Sequence, residues 1–385
     1  MTIRLAALSV LLAATVAAQL RPADAASVGM SAAALKRASA ILAKEIDENR
    51  VLAASLLVAR RDRIVLHEGF GRLLPAENSP RTKPDTVFLL ASITKPVTAC
   101  ALMLLVERGL VSLDDPVARY IPEFKGEDRR GVRVRDLLSH TSGLPDMLPE
   151  NTQLRRANVP LKDFVKGVFT TPLLYPPRTS FRYQSMGTLL AGEIVERVSG
   201  LPLREFEKRE IFGPLGMNDS SLGMGGRKIE DTAWCQTSPN ANQADQKSFG
   251  ANSPYWRDMG HPWGGMHSTT RDLAVLLQTF LNGGVYNGKR VFSQATVAAM
   301  TRDQNEAVKA PWGLGWGLGN SLVWAYFGDL ASPRTFGHSG ATGTVAWADP
   351  ERQLVCVILT TRPSGMDNGR LLRLVSNAVT AAVED

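Results

Sequence analysis

A hydroxyl and an amine lie three residues apart in Ser92-Ile-Thr-Lys95, where the flanking sequence predicts the start of a helix. Residues spaced i and i+3 share a helix face, so the lysine amine can reach the serine oxygen. The start of a helix also has free N–H groups and a partial positive charge, and both favour an oxyanion. Ser92 is therefore the predicted nucleophile. Lys95 can assist it if its surroundings lower the pKa of its amine from the ordinary value of about 10.4.

Two later segments complete an ordered set of three motifs. They are Tyr183-Gln-Ser185 and His338-Ser-Gly340, so the chain has Ser-x-x-Lys, Tyr-x-Ser and His-x-Gly in that order. On these motifs the chain resembles the serine β-lactamase and penicillin-binding-protein superfamily, especially its class C and esterase-like branch. Stretches such as residues 137–145 and 312–316 extend the resemblance over nearly all of the chain after residue 25.

The resemblance implies a covalent mechanism. Ser92 would attack a carbonyl, form an acyl-enzyme and release the acyl group to water or to another acceptor. The oxyanion would be bound by the backbone N–H groups of Ser92 and Ala341, where Gly340 lets a strand approach closely. No cofactor and no metal are needed for this chemistry. The expected partner is a small-molecule ester, amide or lactam.

The resemblance also implies a role for Tyr183 as the tyrosine that shares a proton with the nucleophile. A phenol is a poor base at its ordinary pKa, so two nearby cations must favour the phenolate. Lys95 would supply one cation, and His338 would supply the other when it is protonated.

Two positions depart from the usual family pattern. His338 stands where many lactamases and peptidases have lysine, and a largely neutral imidazole is a weak anchor for a substrate carboxylate. Ser185 stands where asparagine is usual, and it lacks the paired donor and acceptor of an amide for substrate binding. Both departures favour an esterase-like enzyme over an efficient β-lactamase.

Several alternatives stay open. A D-amino-acid peptidase or carboxypeptidase, a β-lactamase and an acyltransferase all use the same acyl-enzyme chemistry. A sensor that acylates once, or a pseudo-enzyme, is the non-enzyme alternative.

Residues 337–341 come one residue short of a Gly-x-Ser-x-Gly nucleophile elbow, but that motif needs a helix after Ser339, and a strand is predicted there. His261 and His267 lack the ligand spacing of a zinc site, and His140 is expected to order a loop under the site.

The N-terminus has the pattern of a secretory signal peptide over residues 1–25. Arg4 is followed by an apolar run over residues 5–18 and then by the small-x-small sequence Ala23-Asp-Ala25. The run is shorter than the ~20 residues that a bilayer span needs, so cleavage is expected rather than a membrane anchor. The mature protein is expected to be periplasmic or secreted, with no stable membrane span.

The composition argues against a nucleic-acid partner and does not determine whether the cysteines form a disulfide. The net charge of +7 is dispersed along the chain, without the basic stripe interleaved with aromatics that nucleic-acid binding requires, so no nucleic-acid partner is expected. Cys100 and Cys356 lie in apolar runs and are predicted to be buried, whereas the spacing of the three cysteines, which include Cys235, specifies no disulfide.

The periodicity predicts strands near both ends of the chain and a mostly helical middle. We therefore expect an α+β fold in which terminal helices flank an antiparallel sheet and a helical subdomain is inserted. The α/β part would comprise about residues 26–85 and 285–385, and the helical part about residues 86–284. The predicted helices are residues 31–49, 92–109, 188–198, 270–282 and 370–383, and the predicted strands are residues 52–59, 64–67, 344–349 and 353–360.

Residues 228–264 are polar, rich in Asn, Gln and Ser, and without clear periodicity. They are predicted to be a long loop that borders the site, because long loops in compact domains are often functional. Trp256, Trp263, Trp312 and Trp316 lie in stretches that fit either the cleft wall or the core.

Overall fold

The computed structural model describes residues 19–321 and 325–385, so the apolar run of the predicted signal peptide lies outside the described residues. The residues just after that run are part of the fold. Leu20 is buried, and its N–H donates to the hydroxyl of Tyr286 at 3.2 Å. The N–H of Ala23 donates to the carbonyl of Ile64 at 2.9 Å.

The central element is a mixed sheet in the order β1-β3-β2-β12-β11-β10-β9. The pair β1–β3 is parallel and the other described neighbours are antiparallel. The described strands are β1 (Arg21–Pro22), β2 (Ala53–Arg60), β3 (Arg63–Gly71), β4 (Phe88–Leu89), β5 (Ser221–Leu222), β6 (Met266–Ser268), β7 (Val285–Tyr286), β8 (Lys289–Arg290), β9 (Gly317–Leu318), β10 (Phe336–Gly340), β11 (Thr344–Asp349) and β12 (Leu354–Thr360).

Helices fill the middle of the chain and lie near both ends of it. The described α-helices are α1 (Ala32–Asp47), α2 (Thr94–Glu107), α3 (Val134–Leu138), α4 (Asn151–Arg156), α5 (Leu161–Thr170), α6 (Met186–Ser199), α7 (Leu203–Glu207), α8 (Gly213–Leu215), α9 (Gln243–Phe249), α10 (Pro254–Met259), α11 (Thr270–Leu281), α12 (Gln294–Thr301) and α13 (Arg370–Thr380). A π-helical turn, Lys208–Phe212, joins α7 to α8. No helix within the described ranges is long and apolar enough to cross a membrane.

Each face of the sheet is covered by helices. Side chains alternate between the faces of a strand, so Leu56 and Val58 of β2 enter one core while Leu57 and Ala59 enter the other. Helices α1 and α13 pack on the first face, and α11 packs on the second. Because both faces are covered, β2, β11 and β12 are buried along their whole length. The predicted α+β arrangement, with terminal helices on a largely antiparallel sheet, is confirmed. The predicted division into parts stays a prediction, and α11 packs on the sheet although it lies within the predicted helical part.

Helix α2 carries the serine and lysine motif into the interior. Every residue from Thr94 to Leu105 is buried, and the helix packs against α6. It begins after the 3₁₀ turn Ala91–Ile93 and is followed by Gly109, whose φ of 68° is readily adopted by glycine. The predicted buried helix over residues 92–109 is therefore confirmed, with its first turn wound more tightly.

The predicted long loop over residues 228–264 contains two short helices, α9 and α10, so that prediction was too coarse. Both helices are capped, because the side chain of Asn242 accepts from the N–H of Asp245 at 3.0 Å and that of Ser253 accepts from the N–H of Trp256 at 3.2 Å. Helices of 7 and 6 residues are too short to show a 3.6-residue apolar period in the sequence. The three cysteines are free and buried.

A carboxyl group is fully buried beneath α2. Glu207 is 0% exposed, and its Oε1 lies 3.4 Å from the hydroxyl of Thr98. Burial raises the pKa of Glu207 from its ordinary value of 4.5 to about 8, while the hydrogen bond from Thr98 lowers it to a lesser degree. The side chain therefore keeps its proton at neutral pH in the folded protein.

Glu207 should make stability fall with rising pH. Between pH 4.5 and 8 the unfolded chain has lost this proton and the folded chain retains it, so folding takes up a proton and the free energy of unfolding decreases by about 1.4 kcal/mol per pH unit. Below pH 4.5 both states are protonated and the cost vanishes. We expect Glu207→Gln to gain roughly 3 kcal/mol relative to wild type between pH 5 and pH 8 in urea unfolding.

The matched control for this prediction is Glu205→Gln, because Glu205 lies on the same helix and is exposed. Its stability difference from wild type should not depend on pH. A Glu207→Gln difference that is equally constant across this pH range would contradict the buried, protonated carboxyl.

Candidate active site

Ser92 lies at a sharp turn between β4 and α2. Ala91 has a φ of 49°, in the left-handed region that residues with a Cβ rarely adopt. The turn is held by Thr94, whose hydroxyl donates to the carbonyl of Ala91 at 2.7 Å and accepts from the N–H of Met266 at 3.0 Å. These bonds fix the backbone that presents the serine.

Lys95 is buried directly behind the serine. Its Nζ lies 3.0 Å from the Oγ of Ser92 and 3.1 Å from the carbonyl oxygen of Trp263, and its side chain is 2% exposed. Burial lowers the pKa of the amine to about 7, and the negative charge of Asp146 opposes this shift only in part. Assistance by Lys95 depends on such a lowered pKa, and the buried amine meets that condition.

Tyr183 completes a contact triad with Ser92 and Lys95. Its hydroxyl is enclosed and hydrogen-bonded to Ser92, and Nζ of Lys95 lies 4.6 Å from the centroid of its ring. Burial raises the pKa of the phenol well above 10, although the bond with Ser92 lowers it in part. The tyrosine is therefore a protonated phenol in the free enzyme, which differs from the predicted phenolate.

His338 is neutral, in line with the largely neutral imidazole expected at this position, so the condition under which it would supply a second cation for Tyr183 is not met. The imidazole is 0% exposed, and its Nδ1–H donates to the carbonyl of Ser339 at 2.7 Å. Burial and, to a lesser degree, the charge of Lys95 lower the pKa of His338 to about 3. The ring centroid lies 5.9 Å from that of Tyr183. A protonated imidazole here would have to bury its charge, and the cost of that burial keeps the ring neutral.

The turn after β10 is bonded to the segment that precedes the serine. The hydroxyls of Thr342 and Thr344 donate to the carbonyls of Leu89 and Leu90 at 2.8 and 2.9 Å. A Cβ at Gly340 would clash with the carbonyl of Leu90, so only glycine allows this approach. Ala341 follows at once and lines the same cleft as Ser92. The assignment of the oxyanion hole to the N–H groups of these two residues stays a prediction, and this geometry is compatible with it.

The cleft in front of Ser92 has a volume of about 490 Å³. Ser185, one of the predicted substrate-binding residues, lies in its wall, and its hydroxyl donates to Oδ1 of Asp146 at 2.6 Å. Asp146 was not predicted as a site residue. Its position directly after the family-like stretch of residues 137–145 is the sequence feature that could have indicated it.

The four tryptophans that were predicted to lie in the cleft wall or the core divide between these two places. Trp256 and Trp263 line the cleft, and the segment of residues 228–264 borders it as predicted. Trp312 and Trp316 are buried. The ring of Trp312 packs beneath the site, with its centroid 5.7 Å from that of His338.

The alternative sites are not assembled. Ser339 lies within β10 and is followed by a turn and β11 rather than by a helix, so it is not a nucleophile elbow. His140 packs against Tyr183, with ring centroids 4.7 Å apart, and its Nδ1 accepts from the N–H of Gln184 at 3.3 Å, which orders the loop under the site. Within residues 19–321 and 325–385, no group of three His, Cys, Asp or Glu side chains is placed to hold a metal ion.

Comparison with known proteins identifies the family. Residues 38–380 match the family model described as Beta-lactamase. The chain belongs to the Beta-lactamase family. With Ser92, Lys95 and Tyr183 in contact, it is a β-lactamase-family serine hydrolase. A relative from Salmonella gallinarum (strain 287/91 / NCTC 13346), named "Putative D-alanyl-D-alanine carboxypeptidase", is 32% identical over 371 residues, with 87% of this chain and 84% of the relative covered.

Solved structures of other proteins share the fold. One is "EstCE1, a hydrolase with promiscuous acyltransferase activity", with a TM-score of 0.74, 22% identity and coverage of 90% of this chain and 99% of that chain. Another is a family VIII carboxylesterase, with a TM-score of 0.72, 23% identity and coverage of 91% of this chain and 99% of that chain. At these identities the likeness supports the architecture of the hydrolase and does not define its substrate.

The electrostatics of Lys95 predict a measurable pH dependence. In the wild-type enzyme kcat/KM should rise with pH through about 7, as Lys95 loses its proton and becomes able to accept one from Ser92. The negative charge of Asp146 raises the pKa of Lys95, so Asp146→Asn should move this rise to lower pH. Asparagine retains an oxygen that can accept from Ser185.

The control variant is Asp163→Asn, which removes a carboxylate that pairs with Lys166 on the surface. It should leave the pH profile in place. A profile that does not move, or moves to higher pH, in Asp146→Asn would contradict the assignment of this limb to Lys95.

Proposed function

We propose that this hydrolase cleaves an ester or amide through an acyl-enzyme on Ser92, with an esterase-like preference. One observation carries the proposal: the Oγ of Ser92 lies 3.0 Å from a buried amine whose pKa is lowered to about 7. A neutral amine at this distance can accept the serine proton near neutral pH.

In the acylation step, Oγ attacks the substrate carbonyl while its proton passes to Nζ of Lys95. The oxyanion is stabilised by the N–H groups of Ser92 and Ala341. Tyr183, a protonated phenol hydrogen-bonded to Ser92, donates a proton to the leaving group, and Lys95 returns a proton to the phenolate. The bond to the leaving group breaks, and the neutral amine and phenol are restored.

Deacylation uses the same groups with water in place of the leaving group. Water attacks the acyl carbonyl as Lys95, directly or through Tyr183, takes its proton. Collapse of the tetrahedral intermediate breaks the bond to Oγ, and the proton returns to Ser92. The carboxylic acid then leaves the cleft.

The esterase-like preference rests on His338. A neutral, buried imidazole occupies the place on β10 where many family members have a lysine, so this strand offers no cation to the ring carboxylate of a β-lactam. A D-amino-acid carboxypeptidase is the second candidate, and the 32% identical relative named for that activity favours it. Acyl transfer would divert the same acyl-enzyme to an acceptor other than water.

Labelling and turnover together test the proposal. A fluorophosphonate should give one adduct on Ser92 by peptide mapping, and Ser92→Ala should lose the adduct and at least about 10³-fold in kcat/KM for p-nitrophenyl butyrate. The control Ser339→Ala should retain both. We expect wild type to hydrolyse the ester rapidly and the cephalosporin nitrocefin poorly.

Other outcomes of this experiment would reject parts of the proposal. Ester turnover that persists in Ser92→Ala would remove the Ser92 acyl-enzyme. Rapid hydrolysis of nitrocefin or of a D-alanyl-D-alanine peptide, with slow ester hydrolysis, would favour the lactamase or carboxypeptidase. A burst equal to the enzyme concentration without turnover would indicate an acylating sensor.

We also propose that the enzyme is exported to the periplasm or secreted after its leader is removed. Cleavage after Ala25 would delete β1 and the buried Leu20, whereas a cut before Leu20 would retain them. The intact mass of the exported protein should therefore correspond to a mature chain that begins before Leu20. A mature chain that begins at Ala26, with unchanged thermal stability, would show that these residues are dispensable. Protein that stays unprocessed in the cytoplasm would contradict export.

A further inference from the structure

Arg155 is a cation in the wall of the active-site cleft, and within residues 19–321 and 325–385 it has no acidic partner. It lies on α4 and lines the same cleft as Ser92. Its Nη2 donates to the carbonyl of Phe249 at 2.8 Å, while Nε is buried and has no hydrogen-bond partner among the described residues. The adjacent Arg156 differs in this respect, because it forms a surface ion pair with Asp245 at 2.9 Å.

Aromatic stacking holds the guanidinium of Arg155 in place. Its Cζ lies 3.6 Å from the centroid of Trp256 and 5.2 Å from that of Phe249. Stacking of this kind fixes the plane of the guanidinium while leaving its edge available for hydrogen bonds. Burial lowers the pKa of Arg155 to about 10, so the group still carries its charge at neutral pH.

The wall that carries Arg155 continues to the catalytic lysine. The ring of Trp256 contacts that of Trp263, with centroids 6.4 Å apart, and the carbonyl of Trp263 lies 3.1 Å from Nζ of Lys95. A substrate that reaches Ser92 therefore occupies a cleft with Arg155 in its boundary.

Arg155 is the only arginine or lysine among the described residues that line the cleft. The other formal charge there is the carboxylate of Asp146, which forms no ion pair with Arg155. His261 also lines the cleft, and burial lowers its pKa well below the ordinary value, so it is neutral. A partly buried cation without a counter-ion is costly, and an anionic ligand would offset that cost.

We propose that Arg155 binds an anionic group of the substrate, so that the hydrolase prefers esters or amides that bear a carboxylate. This inference rests on the proposed acyl-enzyme function of Ser92. It places the carboxylate-binding cation on the helical side of the cleft, although β10 presents only a neutral His338. Arg155 is in this account a specificity-determining residue and takes no part in the proton transfers.

Matched ester pairs test the proposal. The first pair, mono-p-nitrophenyl adipate and p-nitrophenyl hexanoate, differs by a carboxylate on the acyl chain. The second pair, 4-acetoxybenzoate and 4-acetoxybenzamide, differs by a carboxylate on the leaving group. We expect wild type to prefer the anionic member of at least one pair, and that pair identifies the side of the scissile bond that faces Arg155.

Arg155→Gln should lower kcat/KM for the preferred anionic ester by roughly 10- to 100-fold, because a hydrogen bond to a charged group contributes an effect of this size. The neutral member of the pair should change less than about threefold, which controls for folding within the same enzyme sample. Arg155→Lys should recover part of the preference. The control Arg156→Gln should behave as wild type with both esters.

The inference would be overturned if wild type shows no preference for either anionic ester, or if Arg155→Gln slows the anionic and neutral esters equally. These results differ from failure of the acyl-enzyme itself. In that case neither member of a pair would be hydrolysed through Ser92, and the fluorophosphonate adduct on Ser92 would be absent.

Discussion

The burial of one lysine amine governs the chemistry of this site. Removing Lys95 from water penalises its charged form, and this effect makes an ordinarily protonated side chain a base near pH 7. The carbonyl of Trp263 and the hydroxyl of Ser92 fix the position of the amine. The packing of α2 offsets the free-energy cost of burying the Lys95 amine. This helix is buried from Thr94 to Leu105 and packs against α6. A large helical core is therefore needed to hold one amine beside one hydroxyl.

The same burial sets the states of the neighbouring groups. It keeps Tyr183 protonated and His338 neutral, so the free site holds a base and a proton donor that are both hydrogen-bonded to Ser92, rather than a phenolate beside two cations. With a neutral His338, β10 contributes its backbone and no charge. Arg155, on α4, is then the one arginine or lysine that lines the cleft in the part of the chain that the structure describes. Because Arg155 lies apart from Lys95 and Tyr183, the substrate specificity can change without a change in the pKa of Lys95.

The main elements of the fold and four residues of the site could be predicted from the sequence, because they leave motifs or a regular spacing of apolar residues. The motifs placed Ser92, Lys95, Tyr183 and His338 in order. The spacing of apolar residues predicted the strands β2, β11 and β12 and the helices α1, α2, α6, α11 and α13. The short polar helices α9 and α10 were missed because they depend on caps rather than periodicity. The protonated state of Tyr183 was not predicted, because burial is a tertiary property, whereas the neutral state of His338 agrees with the largely neutral imidazole expected from the sequence. Asp146 and Arg155 belong to none of the three motifs, and only the fold brings them to the cleft.

A direct titration of the Lys95 amine tests the central claim. Protein labelled with ¹³C at lysine Cε can be followed by NMR from pH 5 to 11, with Lys95→Met assigning the resonance. One lysine should titrate at about 7, well below the ordinary lysine pKa of about 10.4, and its resonance should be absent from the variant. A Lys95 resonance that titrates with the exposed lysines would show that the amine is not the base, and the mechanism would be wrong.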